Sequence, residues 1–150
     1  MNTVPAISAD ITNVIPWIPD QTACLMWAGP QVNFPLAPER LIKEIEFGPD
    51  NSFCIRDQDA IKAFGQLMSK QSGSLHMARI IVDPDSRRQG YGFQICIDLI
   101  QIARERNARA LTLNVYRDNI EGLRLYRGLG FKDVQKKSTA EHLHMIKEIV

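Results

Sequence analysis

A continuous apolar strand, a basic loop with two glycines and an apolar helix follow one another in the middle of the chain. The apolar run Ile-Ile-Val at residues 80–82 belongs to a strand predicted at residues 75–83, and Pro84 marks its end because proline cannot donate a ladder hydrogen bond. Such a run is typical of a central strand covered on both faces. The helix pattern begins near Phe93, and its few polar residues form one narrow stripe. Strand, loop and helix in this order indicate an α/β fold.

The loop, residues 87–92 with the sequence Arg-Arg-Gln-Gly-Tyr-Gly, has the chemistry of an anion site. Gly90 and Gly92 let the backbone approach a ligand closely. The first turn of the following helix offers N–H groups and the positive end of its dipole. Two arginines add charge, so a polyphosphate is the expected ligand. A plain strand-to-helix turn with solvated arginines is the alternative for the loop considered alone.

The spacing of the glycines separates three phosphate-binding loops. A P-loop would require Lys-Ser/Thr directly after its last glycine, and Phe93 stands there instead. A dinucleotide fingerprint would require glycine or alanine where Ile95 stands. Arg87, Gly90 and Gly92 fit the pattern Arg/Gln-x-x-Gly-x-Gly/Ala. The loop therefore resembles the pyrophosphate loop of the Gcn5-related N-acetyltransferase (GNAT) superfamily.

A second segment carries the same resemblance. Asn119 follows a predicted strand, and residues 125–131 read Leu-Tyr-Arg-Gly-Leu-Gly-Phe. In the superfamily, an Asn at a strand end precedes a short helix that carries a Tyr and ends in Gly-Phe. The resemblance is strong over about residues 60–147 and loose in the first third. It identifies the chain as a small, bacterial-type member of the superfamily.

The order of elements predicts one domain over residues 1–150. Its 150 residues suffice for one core and are too few for two ordinary domains. Short helices come first, then a strand meander, then alternating strands and helices, then two strands. We expect an α/β fold with a mixed, mostly antiparallel sheet of six to seven strands flanked by about four helices, which agrees with the GNAT fold.

Composition limits the partners. The net charge is +1, which argues against a nucleic-acid partner. No apolar run is long enough for a membrane span, and no secretory signal is visible, so we predict a cytoplasmic protein. Three cysteines without metal-like spacing indicate reduced, mostly buried thiols, and no metal site is expected. Residues 76–150, which contain the loop, carry 13 Lys/Arg and 9 Asp/Glu, which suits a polyanionic ligand.

The resemblance implies acetyl-CoA as co-substrate. Main-chain groups of the strand at residues 80–82 would pair with the pantetheine arm, and Val82 N–H would stabilise the oxyanion. Asn119 would hydrogen-bond the same arm; a plain helix cap is its alternative role. The predicted cofactor-binding residues are Ile80, Ile81, Val82, Arg87, Arg88, Gln89, Gly90, Tyr91, Gly92, Phe93, Asn119 and Tyr126.

Proton transfer is predicted to involve three side chains. Tyr126 would protonate the departing thiolate, as the resemblance implies; a packed helix tyrosine is the alternative. Some relatives carry a Glu base where Asn114 stands here, and Asn cannot accept a proton at neutral pH, so Asn114 would orient a water or the amine. His76 is the preferred base, by similarity to serotonin N-acetyltransferase and because imidazole titrates near neutral pH. His142 and His144 are less favoured bases, and a structural role remains open for His76.

The acceptor is predicted to be an amine, on a small molecule or on a peptide or protein. Its pocket would include Trp27 and Phe34, in a stretch resembling some bacterial members, with Tyr116 as a further candidate. Packing under a long loop is the alternative for this stretch. We expect an acetyl-CoA-dependent N-acetyltransferase, monomeric or homodimeric. The rival hypothesis is a non-catalytic sensor that binds CoA or another phosphorylated ligand.

Overall fold

Within the residues that the structure describes, seven strands form one sheet, in the order β1-β2-β3-β4-β5-β7-β6. The structure is a computed structural model that describes residues 3–70 and 73–149. The strands are β1 (Thr3–Pro5), β2 (Ser52–Asp57), β3 (Ala60–Ser69), β4 (Leu75–Val82), β5 (Ala110–Tyr116), β6 (Lys132–Asp133) and β7 (His142–Glu148). The helices are α1 (Ser8–Val14), α2 (Gln21–Ala28), α3 (Pro38–Glu44), α4 (Tyr91–Glu105) and α5 (Ile120–Gly128).

The pairing pattern confirms the predicted fold class. β1, β2 and β3 pair antiparallel, and so do β5, β7 and β6. β4 pairs with β5 in parallel, through Leu75–Leu111 and His76–Thr112. The described residues contain five α-helices, in agreement with the expected helices flanking the sheet. Pro16 and Pro19 lie between α1 and α2, where proline disfavours a continuous helix.

The described residues divide into two compact units. The first comprises residues 3–66 and 79–98, and the second residues 67–70, 73–78 and 99–149. The core of the first unit is an apolar cluster that joins the first three helices to β2 and β3, with Ile11, Leu41 and Phe64 fully buried. Burial of each such side chain stabilises the fold by roughly 1.5–3 kcal/mol.

One ion pair fixes α1 in the first unit. Asp10 is 2% exposed. Its carboxylate accepts two hydrogen bonds from the Arg56 guanidinium on β2, at 2.8 and 2.6 Å. The same carboxylate accepts a hydrogen bond from Ile7 N–H at 2.8 Å. Asp10 therefore both caps its helix and connects it to the sheet.

The second unit has a sheet with one apolar and one polar face. Leu111, Leu113 and Val115 of β5 are buried, as are Leu143 and Met145 of β7. The residues between them are polar or aromatic, as strand alternation requires. We call this set, together with its neighbour on β4, the polar face: His76, Thr112, Asn114, Tyr116, His142 and His144.

Several boundaries differ from the predicted ones. α4 begins at Tyr91, so Gly92 lies in its first turn rather than in the loop before it. Phe93 and Ile97 are 51% and 37% exposed, so α4 is less buried than its apolar pattern suggested. β6 ends at Asp133 and a 3-10 turn follows at Gln135–Lys137. No helix in the described part of the chain has the length and apolar character needed to cross a membrane.

Candidate functional site

The basic loop of the first unit is shaped to present its backbone. A 3-10 turn at Pro84–Ser86 precedes it, and the Asp83 side chain accepts a hydrogen bond from Asp85 N–H at 3.0 Å. Arg88 and Gly90 both have left-handed backbones, with φ of 63° and 88°. A side chain at Gly90 would meet nothing within 4 Å, so open space lies beside this position. The glycine serves both the turn and the close approach of a ligand.

The start of α4 supplies the donors. Gln94 N–H makes the first helical hydrogen bond, to Gly90 C=O at 3.0 Å. The N–H groups of Tyr91, Gly92 and Phe93 precede it, so the helix itself offers them no acceptor four residues back. α4 has 15 residues, and its dipole favours negative charge at this end. With residues 87–90 exposed beside it, the loop fits a pyrophosphate group.

Tyr91 holds the loop to the sheet. Its side chain is 5% exposed, and its hydroxyl donates to the Asp57 carboxylate at the end of β2, at 3.2 Å. The phenol is therefore used within the fold. A contribution of Tyr91 to cofactor binding would come from its main-chain N–H.

β4 has an irregular backbone at Arg79. This residue has φ of 54°, a left-handed backbone inside a strand, as in a β-bulge. The regular alternation of side chains along β4 is broken at this residue. Ile80, Ile81 and Val82 are each half-buried, and Ile81 packs on the apolar cluster of the first unit.

A buried polar network surrounds Arg79. Its guanidinium donates to the Gln66 side chain at 2.7 Å, and burial lowers the pKa of the guanidinium. Gln66 in turn donates to Ile45 C=O and to the Ser52 hydroxyl, at 3.1 and 2.9 Å. Trp27 Nε1 donates to Arg79 C=O at 3.0 Å. These bonds hold the left-handed residue in place, and nothing in the sequence pattern indicated them.

Trp27 and Phe34, two predicted acceptor-site residues, lie in the first unit. Trp27 is half-buried and packs on the apolar cluster, while Phe34 is 36% exposed. Leu25 and Met26 of α2 are also exposed, at 40% and 38%. α2 and the segment after it therefore present apolar surface, as an acceptor site would require.

Two histidines of the polar face stack in the second unit. His76 Nδ1 lies 2.7 Å from the Thr112 hydroxyl, and His144 Nδ1 lies 2.7 Å from Asn114 Oδ1. The two imidazole rings have centroids 6.3 Å apart and planes inclined by 14°. Two of the three predicted proton-transfer residues, His76 and Asn114, thus meet on the polar face together with His144.

Tyr116, the third predicted acceptor-site residue, lies at one end of the polar face. It is half-buried, and its ring meets the His142 ring edge to face, with centroids 6.1 Å apart. The polar face thus combines three imidazoles with a phenol.

Asn119 and Tyr126 belong to α5 and its cap. Asn119 Oδ1 accepts from Gly122 N–H at 2.9 Å, so Asn119 is the N-cap of the helix. This leaves its Nδ2 as a possible donor to a ligand. Tyr126 is half-buried and packs edge to face on Phe131, with centroids 6.1 Å apart. Phe131 N–H also donates to Tyr126 C=O at 3.0 Å, so the Gly-Phe segment fixes the end of the helix.

His144 has surroundings that the sequence pattern did not indicate. Burial lowers its pKa below the ordinary 6.5, and the positive charges of Lys137, His142 and Lys70 lower it further. Its partner Asn114 lies directly opposite on the neighbouring strand. The two residues meet because of the register between β5 and β7. They are 30 residues apart in the sequence, so no local sequence pattern predicts that register.

Solved structures share this fold. A ribosomal-protein-alanine N-acetyltransferase from Brucella melitensis superposes with a TM-score of 0.78 at 16% identity, covering 99% of each chain. The PaiA N-acetyltransferase from Thermoplasma acidophilum, solved with coenzyme A, gives a TM-score of 0.77 at 16% identity, covering 98% of each chain. The fold is therefore that of the N-acetyltransferases.

The sequence places the chain within a family. The model of the acetyltransferase (GNAT) family matches residues 20–131, which include both the loop and the Asn119–Phe131 segment. The chain belongs to this family, and the resemblance seen in its motifs is confirmed. A UPF0039 protein of Schizosaccharomyces pombe is 27% identical over 90 residues, 58% of this chain. The match spans 59% of the length of that curated relative.

Proposed function

We propose that this protein is an acetyl-CoA-dependent N-acetyltransferase that acts on a primary amine. The observation that carries the proposal is the loop at residues 87–92, where exposed arginines, a left-handed Gly90 and the start of a 15-residue helix form an anion site in a GNAT-family chain. Coenzyme A bears the pyrophosphate that such a site accepts. The loop would hold the donor, and acetyl-CoA would supply the acyl group.

The remaining roles follow the family motifs. Main-chain groups of residues 80–82 would pair with the pantetheine arm, and Val82 N–H would stabilise the oxyanion. Asn119 Nδ2 is available to the arm because Oδ1 caps α5. Tyr126 would give its hydroxyl proton to the departing thiolate. His76 stays the candidate that the sequence favours for the base.

The proposed acceptor is an amine on a small molecule, a peptide or a protein. Exposed apolar residues on α2 and Phe34 support an acceptor with an apolar portion beside its amine. The Brucella melitensis structure is named for acetylation of an alanine in a ribosomal protein. We therefore include peptides with an N-terminal alanine among the acceptors to be tested, and place the enzyme in the cytoplasm as a monomer or homodimer.

Two substitutions test the donor site and the acid separately. Arg87→Ala should weaken CoA binding by roughly 10- to 150-fold, because a charge-assisted hydrogen bond to phosphate contributes about 1.5–3 kcal/mol. Tyr126→Phe should slow thiol release by at least about tenfold, and it should weaken CoA binding far less than Arg87→Ala does. The measurements are calorimetric CoA titration and thiol release across an amine panel.

Arg104→Ala is the matched control for the loop. Arg104 is also an exposed arginine, but it lies at the end of α4 that is far from the loop. Its removal should leave CoA affinity unchanged. Equal weakening by Arg87→Ala and Arg104→Ala would exclude the loop as the pyrophosphate site. CoA binding without thiol release from any amine would favour the sensor hypothesis over the enzyme.

A further inference from the structure

The tautomer of His144 is fixed by its contact with Asn114. A side-chain carbonyl oxygen only accepts hydrogen bonds, so Asn114 Oδ1 requires a proton on His144 Nδ1. The lone pair of the neutral ring is then on Nε2. The Thr112 hydroxyl beside His76 both donates and accepts, so this contact fixes neither tautomer of His76. The contact with Asn114 therefore leaves the lone pair of the neutral His144 ring on Nε2, where it can accept a proton.

Asn114 supplies this orientation from an exposed position on β5. It lies directly opposite His144 in the β5–β7 ladder, and their side-chain contact measures 2.7 Å. An amide cannot take up a proton at neutral pH, but it positions a ring that can. Asn114 is thus placed to orient the ring of His144 on the neighbouring strand.

We propose that His144, oriented by Asn114, accepts the proton of the acceptor amine. The inference rests on the proposed N-acetyltransferase function and replaces His76 as the base. In the step, the amine nitrogen attacks the thioester carbonyl, the C–N bond forms and the C–S bond breaks. The proton leaves nitrogen for His144 Nε2 and then passes to water. The thiolate takes a proton from Tyr126, which regains one from solvent, so the products are the acetamide and CoA.

The charges around His144 keep the ring neutral. Its own strand contributes His142, the 3-10 turn contributes Lys137, β4 contributes the stacked His76, and Lys70 follows β3. Burial first, and then the charges of Lys137, His142 and Lys70, place the pKa of His144 below the ordinary 6.5. The unprotonated ring therefore predominates at neutral pH. Protonation of this base at lower pH should reduce the rate, which gives the pH profile an acidic limb below about pH 6.5.

The decisive experiment is a pH profile of kcat/KM for paired variants. His144→Gln should lower kcat at neutral pH by roughly 10²–10³-fold and abolish the acidic limb. His76→Gln should retain that limb. Asn114→Asp should move the limb to higher pH, because a carboxylate beside Nδ1 stabilises the imidazolium. A limb that moved instead towards about pH 4 would mean that the introduced carboxylate accepts the proton, which would overturn the assignment of the base to His144.

A second measurement determines the tautomer of His144 in the protein without substrates. The ¹⁵N shifts of His144 should report a protonated Nδ1 in the free protein, and Asn114→Leu should abolish that preference. If His144→Gln kept the acidic limb of the pH profile, His144 would not be the base, and the proposed function would still stand. A protonated Nε2 in the wild type would overturn the positioning by Asn114. Absence of acetyl transfer by the wild type would overturn both this inference and the proposed function.

Discussion

Single residues with unusual backbones define the loop. Gly90 and Arg88 are left-handed within three positions, and Arg79 is left-handed inside β4. The glycine was predictable from the sequence because only glycine takes this conformation freely. The two arginines were not, because non-glycine residues enter it only when the surrounding structure holds them there.

Gly90→Ala should destabilise the protein and weaken CoA binding. Open space surrounds the added methyl group, so the cost is backbone strain of roughly 1–2 kcal/mol. Gly128→Ala is the matched control, since Gly128 ends α5 without a left-handed backbone and its added methyl also meets nothing within 4 Å. That variant should be equal to or more stable than the wild type. Thermal unfolding with and without CoA measures both, and similar changes in Tm would contradict this account.

The positions of helices and strands were predictable where residues within the segment itself marked them. The apolar run at residues 80–82, the prolines after α1 and the glycines of the loop each marked an element in the sequence. The start of α4 was misplaced by two residues because Tyr91 and Gly92 look like loop residues, yet Tyr91 is anchored to Asp57 on β2. Pairing of Asn114 with His144 depends on strand register, which the sequence pattern does not specify between distant segments.

Asp10→Asn should loosen the attachment of α1 to β2. The substitution leaves the Arg56 guanidinium without its carboxylate, which costs roughly 3 kcal/mol at a buried pair. Asp20→Asn is the matched control, because Asp20 caps α2 from an exposed position and asparagine caps equally well. Urea unfolding gives both free energies. Equal stability of Asp10→Asn and the wild type would show that the pair contributes nothing to the fold.

At the scale of the whole molecule, the chain keeps its thiols in the interior. Cys24, Cys54 and Cys96 are all buried and free. Burial raises the pKa of Cys54 to about 11 and that of Cys96 to about 12, and it also raises the pKa of Cys24. Thiolates are the nucleophiles, so these cysteines should be inert in the folded protein.

Ellman's reagent should therefore find no reactive thiol in the native protein at pH 8 and three after unfolding in guanidinium. Rapid reaction of any cysteine in the folded state would contradict the burial described above. An inert native protein also means that thiol released in an acetyl-transfer assay comes from CoA alone.

The most direct test of the proposed function is mass spectrometry of an amine panel incubated with acetyl-CoA and the wild-type protein. The panel should contain small amines and peptides with different N-terminal residues, including alanine. We predict that at least one acceptor gains a single acetyl group, that CoA appears in equal amount, and that Tyr126→Phe slows both. If no amine of the panel were acetylated although the protein binds CoA, this result would contradict the claim that this GNAT-family chain is an N-acetyltransferase.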